Sequence, residues 1–359
     1  MPSQNNVVVA CAGSGKTTSI VSSVLDKPDE RALITTFTLS NIAEIRSKFI
    51  DLNGFVPDRV TILPWFTFVL REMVRPYQNL FFRQQRVRSV NLVSGRSDPY
   101  APKANKPRYF FGNSSDVYSD KLSELALCCE QHSDSRVIKR LESQFDTIYI
   151  DEVQDLAGYD LELLKLFLAS EMNVTMVGDH RQATLATNQS PKHKKYRYAG
   201  IIDLFQEWQK AGRISLEFMD TSHRCRQEIC DFADRCFPDS PPTKSLNDTA
   251  TGHDGVFVIA SKDVAKYVEQ FCPQVLRYSK ATNCDGYAAM NFRISKGLTF
   301  DQVLIYPHKS VREYLKSGDL KFLKEPQLLY VATTRARQSV VFVLDEECVL
   351  PGVDKITVD

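Results

Sequence analysis

Residues 7–18 of the chain read VVVACAGSGKTT and carry the strongest structural signal in the sequence. The apolar run 7–10 predicts a buried strand, and residues 20–25 place apolar side chains at helical spacing. The loop that joins them holds Gly13 and Gly15, and glycine accepts backbone conformations that other residues avoid. The stretch therefore predicts a strand, a tight loop and a helix in direct succession.

A glycine-rich loop in this setting is typical of phosphate binding. Backbone N–H groups can close around the phosphates, and the helix N-terminus adds a partial positive charge. Lys16 can reach the β and γ phosphates of a nucleoside triphosphate, and Thr17 can ligate Mg²⁺. The alternative is a glycine-rich turn that binds nothing. The predicted nucleotide-binding residues here are Ala12, Gly13, Ser14, Gly15, Lys16, Thr17 and Thr18.

Two carboxylates follow a second apolar run, residues 147–150. Asp151 and Glu152 are expected at the carboxyl end of a strand, where one carboxylate can hold Mg²⁺ and the other can orient and deprotonate water. We assign Asp151 to the metal and Glu152 to the water. The alternative is an acidic solvated turn, but burying carboxylates without a cation would be costly.

A third apolar run, residues 174–177, leads into Gly178-Asp179-His180-Arg181-Gln182. A glutamine in this position can sense the γ-phosphate, so Gln182 joins the predicted catalytic residues. An ordinary turn at the Gly-Asp pair is the alternative.

Composition favours a globular protein of two domains. The chain has 359 residues, 43% of them hydrophobic, which is enough to bury a core in each of two ordinary domains. Lys and Arg number 45 against 44 Asp and Glu, so nucleic-acid binding would need a local groove rather than a global charge excess.

Cysteine spacing and hydropathy favour a cytoplasmic protein without a membrane segment. The nine cysteines lack metal-type spacing, and we expect free thiols. The N-terminus has no basic leader followed by an apolar run, and no apolar stretch reaches the roughly 20 residues that cross a bilayer.

Apolar runs alternate with helical periodicity along the chain and predict an α/β fold with parallel, helix-covered sheets. Residues 76–145 interrupt the alternation with polar residues and prolines, which predicts a short insertion in the first domain. The domains are predicted at residues 1–200 and 201–359. The predicted strands are residues 7–10, 32–36, 147–150, 174–177, 214–218, 256–259, 275–278, 303–306 and 340–344.

Further motifs occur in a fixed order around those already described. They are Thr36-Phe37-Thr38, then Thr61 with Trp65 and Phe68, then Ser222-His223-Arg224, Lys296-Gly297-Leu298 and the run from Tyr330 to Ala336. With the phosphate loop and the two acidic motifs, this series resembles the UvrD/Rep-like superfamily 1 DNA helicases outside residues 76–145.

The resemblance implies two RecA-like P-loop NTPase domains that use ATP and Mg²⁺. Arg224 and Arg335 would reach the γ-phosphate, because a planar and permanently charged guanidinium suits the charge on a transferring phosphoryl group. Gln4, His223 and Gly297 fall where relatives contact the nucleotide. Thr36, Phe37, Trp65 and Tyr196 would contact nucleic acid, with core packing as the alternative for Phe37 and Trp65.

Several positions depart from the family pattern. Only about fifty residues separate Cys236 from Asn291, so we expect no second insertion subdomain. Leu185 stands where relatives have a stacking aromatic residue, and Tyr196 or Tyr198 would substitute. Thr299 replaces a glutamate that binds the ribose. Phe110 and Phe111 are expected in a solvated loop, with a strand-guiding wedge as the alternative.

The predicted function is an ATP-dependent translocase or helicase on single-stranded nucleic acid. The resemblance implies movement from 3′ to 5′ on DNA, with RNA as the alternative substrate. A second interpretation is a nucleotide-gated regulatory subunit that switches a partner nuclease, as in compact UvrD-like subunits of anti-phage defence systems.

Overall fold

The computed structural model describes residues 5–82, 86–112 and 114–358, so Gln4 lies outside the described residues. The chain divides into two units. The first comprises the described residues up to Val9 together with Lys16–Phe218. The second comprises Ala10–Gly15 and the described residues from Met219 onward.

The N-terminal part of the chain alternates strands with helices. Its strands are β1 (Asn6–Ala10), β2 (Ala32–Thr36), β3 (Val60–Pro64), β4 (Val90–Asn91), β5 (Val117–Tyr118), β6 (Thr147–Ile150), β7 (Asn173–Gly178) and β8 (Ser215–Met219). Its α-helices are α1 (Lys16–Leu25), α2 (Leu39–Asn53), α3 (Trp65–Phe68), α4 (Lys106–Phe111), α5 (Leu122–His132), α6 (Arg136–Gln144), α7 (Asp160–Leu168) and α8 (Ile201–Lys210). A π-helix, Val69–Val74, continues α3.

The main sheet of the first unit has six strands in the order β3-β2-β6-β7-β1-β8. Pairing is parallel from β3 through β1. Because β8 adds to the edge of this sheet beside β1, the residues between the predicted boundary near 200 and Phe218 belong to the first unit. The carboxyl ends of β1, β6 and β7 meet at one edge, as they must in a parallel sheet.

The C-terminal part repeats the same construction. Its strands are β9 (Thr221–Ser222), β10 (Lys244–Ser245), β11 (Gly255–Ile259), β12 (Gln274–Arg277), β13 (Ala289–Asn291), β14 (Phe300–Tyr306), β15 (Ala336–Val343) and β16 (Asp354–Ile356). Its α-helices are α9 (Gln227–Asp234), α10 (Val264–Phe271), α11 (Lys309–Ser317) and α12 (Pro326–Thr333). The main sheet is parallel, in the order β13-β12-β14-β15-β11-β16.

The two six-stranded sheets confirm the predicted α/β class, with a parallel sheet in each of two units. The strands predicted at residues 32–36 and 147–150 have the same bounds as β2 and β6. Prediction missed β13 and β16 because each has three residues, too few to show a periodicity. It also missed β3, which ends in a proline at the sheet edge.

Part of the predicted insertion, residues 76–145, belongs to the core of the first unit. Phe110 is 3% exposed and Phe111 is 1% exposed, and the Phe111 ring lies 4.7 Å from that of Phe82. The expected solvated loop or wedge at Phe110 and Phe111 is therefore wrong. The two rings end the short helix α4, whose first residues are polar or exposed, so the composition does not reveal their burial.

Asp160, at the start of α7, joins four segments of the first unit through one buried carboxylate. It accepts a hydrogen bond from Trp65 Nε1 at 3.1 Å, and the hydroxyls of Ser123 and Thr187 also donate to it. The backbone N–H of Ala157 donates at 3.4 Å. Burial raises the pKa of Asp160, and these donors oppose that rise. Loss of the carboxylate would leave several buried donors without their acceptor.

Asp160→Ala is therefore expected to lower the free energy of unfolding by about 3 kcal/mol, whereas Asp58→Ala on the surface should change it by less than about 0.5 kcal/mol. Both tryptophans, Trp65 and Trp208, lie in the first unit, so their fluorescence during urea denaturation reports on that unit. Equal denaturation midpoints for the two variants would contradict the role given to Asp160.

Candidate functional site

The predicted phosphate loop has the local geometry that its glycines require. It leaves β1 at Ala10 and enters α1 at Lys16. Gly13 has φ 77° and Gly15 has φ 82°, in the left-handed region that disfavours other residues. A Cβ at Gly13 would also lie 2.5 Å from Cβ of Arg224 and 2.8 Å from Oγ of Ser222, so this glycine has a steric role as well.

Within the second unit, backbone and hydroxyl contacts hold the loop. Cys11 N–H donates to the Met219 carbonyl at 2.9 Å, and Ser222 Oγ donates to the Ala12 carbonyl at 2.8 Å. His223 N–H donates to the Gly13 carbonyl at 2.9 Å. The buried Ser14 hydroxyl has no hydrogen-bond partner among the described residues. A phosphate oxygen would satisfy that hydroxyl, so the loop fits a phosphate ligand.

The loop's last candidates lie in the first turn of α1. Lys16 and Thr17 are half-buried, and Thr18 is exposed. The charge of Lys16 acts on two buried carboxylates of the first unit, because it favours the ionised forms of Asp151 and Asp179. The three motifs predicted to act on phosphate therefore share one electrostatic environment at the carboxyl edge of the first sheet.

The paired carboxylates lie where the sequence predicted them, directly after β6. Asp151 is buried, and its N–H donates to the Thr35 carbonyl at 2.9 Å. Burial, together with the charge of Glu152, raises the pKa of Asp151 to about 7, while Lys16 opposes the rise. Glu152 has φ 55° and ψ 39°, and its N–H donates to Asp151 Oδ1 at 2.9 Å.

This arrangement fits a divalent cation. Mg²⁺ prefers hard oxygen ligands, and the predicted set offers the carboxylate of Asp151 and the hydroxyl of Thr17. A cation beside Asp151 would compensate the burial that disfavours its charge.

The third motif forms a compact hydrogen-bonded turn after β7. Gln182 Nε2 donates to Asp179 Oδ2 at 2.9 Å, and Arg181 Nε donates to Asp179 Oδ1 at 3.1 Å. Burial would raise the pKa of Asp179, but the charges of Arg181 and Lys16 outweigh it and hold that pKa well below its usual range. The structure thus places Gln182 in a buried network beside an ionised carboxylate, rather than in an open turn.

Sequence reasoning assigned no role to Gln154, which the structure places inside this network. Its amide nitrogen donates to the carboxylate of Glu152, and its amide oxygen accepts the N–H of Asp179 at 3.1 Å. The available signal was a carboxamide two residues after the proposed catalytic carboxylate, in the turn that follows a buried strand.

The two predicted arginines both contact carbonyl groups inside the second unit. Arg224 is half-buried, and its Nη1 donates to the Thr334 carbonyl at 3.2 Å. Arg335 is 1% exposed, and it donates to the carbonyls of Val331 at 2.9 Å and Leu298 at 3.2 Å. Arg224 is therefore the more accessible of the two guanidinium groups.

The candidates for base and ribose contact lie on the surface of the second unit. His223 is exposed and borders a groove with Arg224, Asn247 and Gln302. Gly297 is also exposed and has φ 86°. The imidazole of His223 is thus available for stacking.

Of the predicted nucleic-acid contacts, Phe37 is half-exposed and Thr36 is buried. The Phe37 ring packs edge to face on Phe66, at 5.6 Å between centroids and an interplanar angle of 77°. Phe66 is also half-exposed and was missed, because its apolar neighbours suggest an ordinary core segment. The pair offers an aromatic surface next to the end of β2.

Trp65 and Tyr196 have little surface to offer a base. Trp65 is 1% exposed and packs against Phe68 and Phe167, so it follows the core-packing alternative. Tyr196 is 6% exposed, and its hydroxyl donates to Glu207 at 2.5 Å. Both belong to the apolar core of the first unit, so base stacking on them is corrected to a structural role.

Comparison with known proteins supports a helicase relationship for part of the chain. Residues 113–186 match the family model of the UvrD/REP helicase N-terminal domain. This segment is about a fifth of the chain and includes Asp151, Glu152 and Gln182. No curated protein matches the chain significantly.

Two solved structures of Arterivirus nonstructural protein 10 (helicase) are similar to the chain. One is 14% identical with a TM-score of 0.48, covering 94% of this chain and 59% of that one. The other is a complex with DNA, 14% identical with a TM-score of 0.48, covering 95% of this chain and 60% of that one. The chain spans about three fifths of the length of these structures.

Among the described residues, no helix is long and apolar enough to span a membrane. The nine cysteines are free thiols, and Cys11 of the loop is one of the buried ones.

Gly13→Ala should loosen the loop, since a Cβ there meets Arg224 and Ser222, whereas a Cβ at Gly15 meets nothing within 4 Å. Both substitutions carry the same backbone strain, so Gly15→Ala is the matched control. We expect hydrogen exchange of the His223 amide, which donates to the Gly13 carbonyl, to accelerate by about tenfold or more in Gly13→Ala only. Equal exchange in both variants would show that the close approach is unimportant.

Proposed function

We propose that the chain is an ATP-dependent motor of the UvrD/Rep-like helicase type that acts on single-stranded nucleic acid. The observation that carries the proposal is the convergence of Lys16, the Asp151–Glu152 pair and Gln182 at the carboxyl edge of one parallel sheet. The match of residues 113–186 to the UvrD/REP model supports it, because that segment contains both acidic motifs.

Each proposed catalytic group has a role that its surroundings allow. Thr17 and Asp151 would hold Mg²⁺, which would neutralise charge on the β and γ phosphates. Lys16 would bind those phosphates, and Glu152 would orient the attacking water and accept its proton. Gln182 would respond to the γ-phosphate through its link to Asp179.

The arginines of the second unit would stabilise the charge that develops on the transferring phosphoryl group. We assign the direct contact to Arg224, because it is the more accessible. Arg335 is buried against carbonyl groups, so it would reach the phosphate only after releasing them. Loss of the hydrogen bond from Arg335 to the Val331 carbonyl would allow nucleotide binding to affect α12, because Val331 lies in that helix.

We assign the nucleic-acid surface of the first unit to Phe37 and Phe66 rather than to Trp65. Base stacking on such rings tolerates any sequence and contributes roughly 1–3 kcal/mol per base. Single-stranded DNA is the proposed track and 3′ to 5′ the proposed direction, on the strength of the motif series, with RNA as the competing track.

We expect single-stranded DNA to stimulate ATP hydrolysis and Glu152→Gln to reduce kcat by about 10²–10⁴-fold, because the amide cannot accept the proton from water. Lys16→Ala should abolish turnover by removing the phosphate contact. A steady-state assay with single-stranded DNA, single-stranded RNA, duplex and no polymer measures both effects.

The control is Glu217→Gln, an exposed glutamate on β8, which should retain wild-type turnover. Wild-type kcat in Glu152→Gln would remove that carboxylate from the mechanism. Hydrolysis that no polymer stimulates would argue against a nucleic-acid motor.

A duplex with a single-stranded tail separates the motor from the regulatory alternative. Strand displacement by the chain alone supports the motor. Stimulated hydrolysis without displacement, restored by a nuclease partner, supports the nucleotide-gated subunit.

We expect the protein to discriminate only weakly between nucleotides. His223 stands where relatives have a larger stacking tyrosine, and Thr299 where they have a ribose-binding glutamate. A site that makes no specific hydrogen bond cannot strongly reject an analogue that lacks the group. GTP and dATP should therefore give kcat/KM within about tenfold of ATP, or roughly 1.4 kcal/mol. A ratio above about a hundred for ATP over both would show that other residues select the nucleotide.

A further inference from the structure

Gln154 connects the two acidic motifs of the first unit through a single buried carboxamide. The side chain is 1% exposed and lies beside the proposed catalytic carboxylate. Its amide nitrogen donates to Glu152 Oε2, and its amide oxygen accepts the backbone N–H of Asp179 at 3.1 Å. Glu152 and Asp179 follow neighbouring parallel strands, β6 and β7, so the carboxamide crosses from the end of one strand to the end of the next.

The orientation of this carboxamide follows from its partners. A backbone N–H can only donate, so the atom facing Asp179 must be the amide oxygen. The amide nitrogen then faces Glu152, and an ionised carboxylate can only accept. The two partners therefore fix the amide without ambiguity, and the fixed amide in turn offers its hydrogen to one oxygen of Glu152.

The neighbouring backbone leaves space for this side chain at a glycine. A Cβ at position 178 would overlap Gln154 Oε1 and would lie 3.0 Å from Cγ1 of Val153. The φ of Gly178 is not in the left-handed region, so conformational freedom does not explain this glycine. The close approach of the Gln154 carboxamide explains why a glycine is needed at this position.

Glu152 itself needs such support. Its backbone has φ 55°, which is strained for a residue with a side chain, and it precedes a short turn, Val153–Asp155, rather than a long helix. Only some rotamers of a glutamate side chain at this position would aim an oxygen at an attacking water.

We infer that Gln154 is a positioning residue that holds the carboxylate of Glu152 in its productive orientation by fixing it to the backbone of Asp179. This inference rests on the proposed NTP hydrolysis. Since Asp179 also accepts from Gln182, the carboxylate that activates water and the glutamine proposed to respond to the γ-phosphate lie on one hydrogen-bonded chain.

Two variants separate the two ends of the carboxamide. Gln154→Leu removes both hydrogen bonds at similar volume. Gln154→Glu keeps an acceptor for Asp179 N–H but replaces the donor to Glu152 with a carboxylate that repels it, so it disturbs only the Glu152 end. The matched control is Gln78→Leu, because Gln78 is also a buried carboxamide of the first unit, donating to the Arg75 carbonyl at 2.9 Å and accepting from Val87 N–H at 2.7 Å.

The experiment measures kcat for ATP hydrolysis with saturating single-stranded DNA, the Kd of a fluorescent ATP analogue, and the melting temperature of each full-length variant. Both Gln154 variants should lose about 10²-fold in kcat, as misplacement of a catalytic group by about 1 Å does, with analogue affinity within about threefold of wild type. Gln78→Leu should lose stability comparable to Gln154→Leu but keep its kcat.

The outcomes are distinguishable. A wild-type chain that hydrolyses ATP, together with a Gln154→Leu variant whose kcat is within about threefold of it, overturns the positioning role alone. The positioning role also fails if Gln154→Glu is as active as wild type, or if Gln78→Leu loses as much kcat as Gln154→Leu. Absence of hydrolysis by the wild-type chain overturns the proposed function and this inference with it.

Discussion

The carboxylates at the carboxyl edge of the first sheet impose the constraint on which the rest of the site depends. Asp151 is buried next to a second carboxylate, and this combination raises its pKa to about 7. Asp179, directly after the neighbouring strand, is also buried but has a pKa below its usual range, because the charges of Arg181 and Lys16 outweigh the effect of burial. The pKa values of two buried acids that each directly follow a strand are thus shifted in opposite directions, because Glu152 adds to the effect of burial at Asp151 whereas Arg181 opposes it at Asp179. A cation at Asp151 would remove that difference.

The parallel register explains why motifs far apart in the sequence lie together at this edge of the sheet. In the β6–β7 pair, Ile150 lies opposite Met176, so β7 runs two residues beyond the end of β6. On its other side, Gly178 lies opposite Val9, immediately before the phosphate loop. The last residue of β7 is therefore adjacent both to the turn that carries Glu152 and to the start of the loop. A side chain at position 178 would overlap Gln154 and crowd Val153, and glycine avoids that overlap.

The sequence predicted the fold and the strand-end motifs well because both depend on local patterns. Short apolar runs identified β2 and β6 to the residue, and polar residues placed directly after such runs can only lie at a strand end. Aromatic residues were harder to place, because an aromatic side chain packs equally well in a core and under a base. Trp65 and Tyr196 are both buried, each with its polar atom bonded to a carboxylate that no local pattern identifies as its partner. Phe110 was misjudged for the opposite reason, since it is buried although its helix begins with polar and exposed residues.

The role of Gln154 cannot be predicted from local sequence patterns. Its position in the acidic motif was visible, but its role depends on which backbone N–H lies opposite, and that is set by the register of β6 against β7. A carboxamide suits this position because its side chain ends in both a donor group and an acceptor. The carboxylate of Glu152 on one side is an acceptor, and the N–H of Asp179 on the other side is a donor. A carboxylate would repel Glu152, and an aliphatic chain would leave the Asp179 N–H unsatisfied in a buried position. The geometry therefore selects glutamine on physical grounds that apply whether or not the chain hydrolyses ATP.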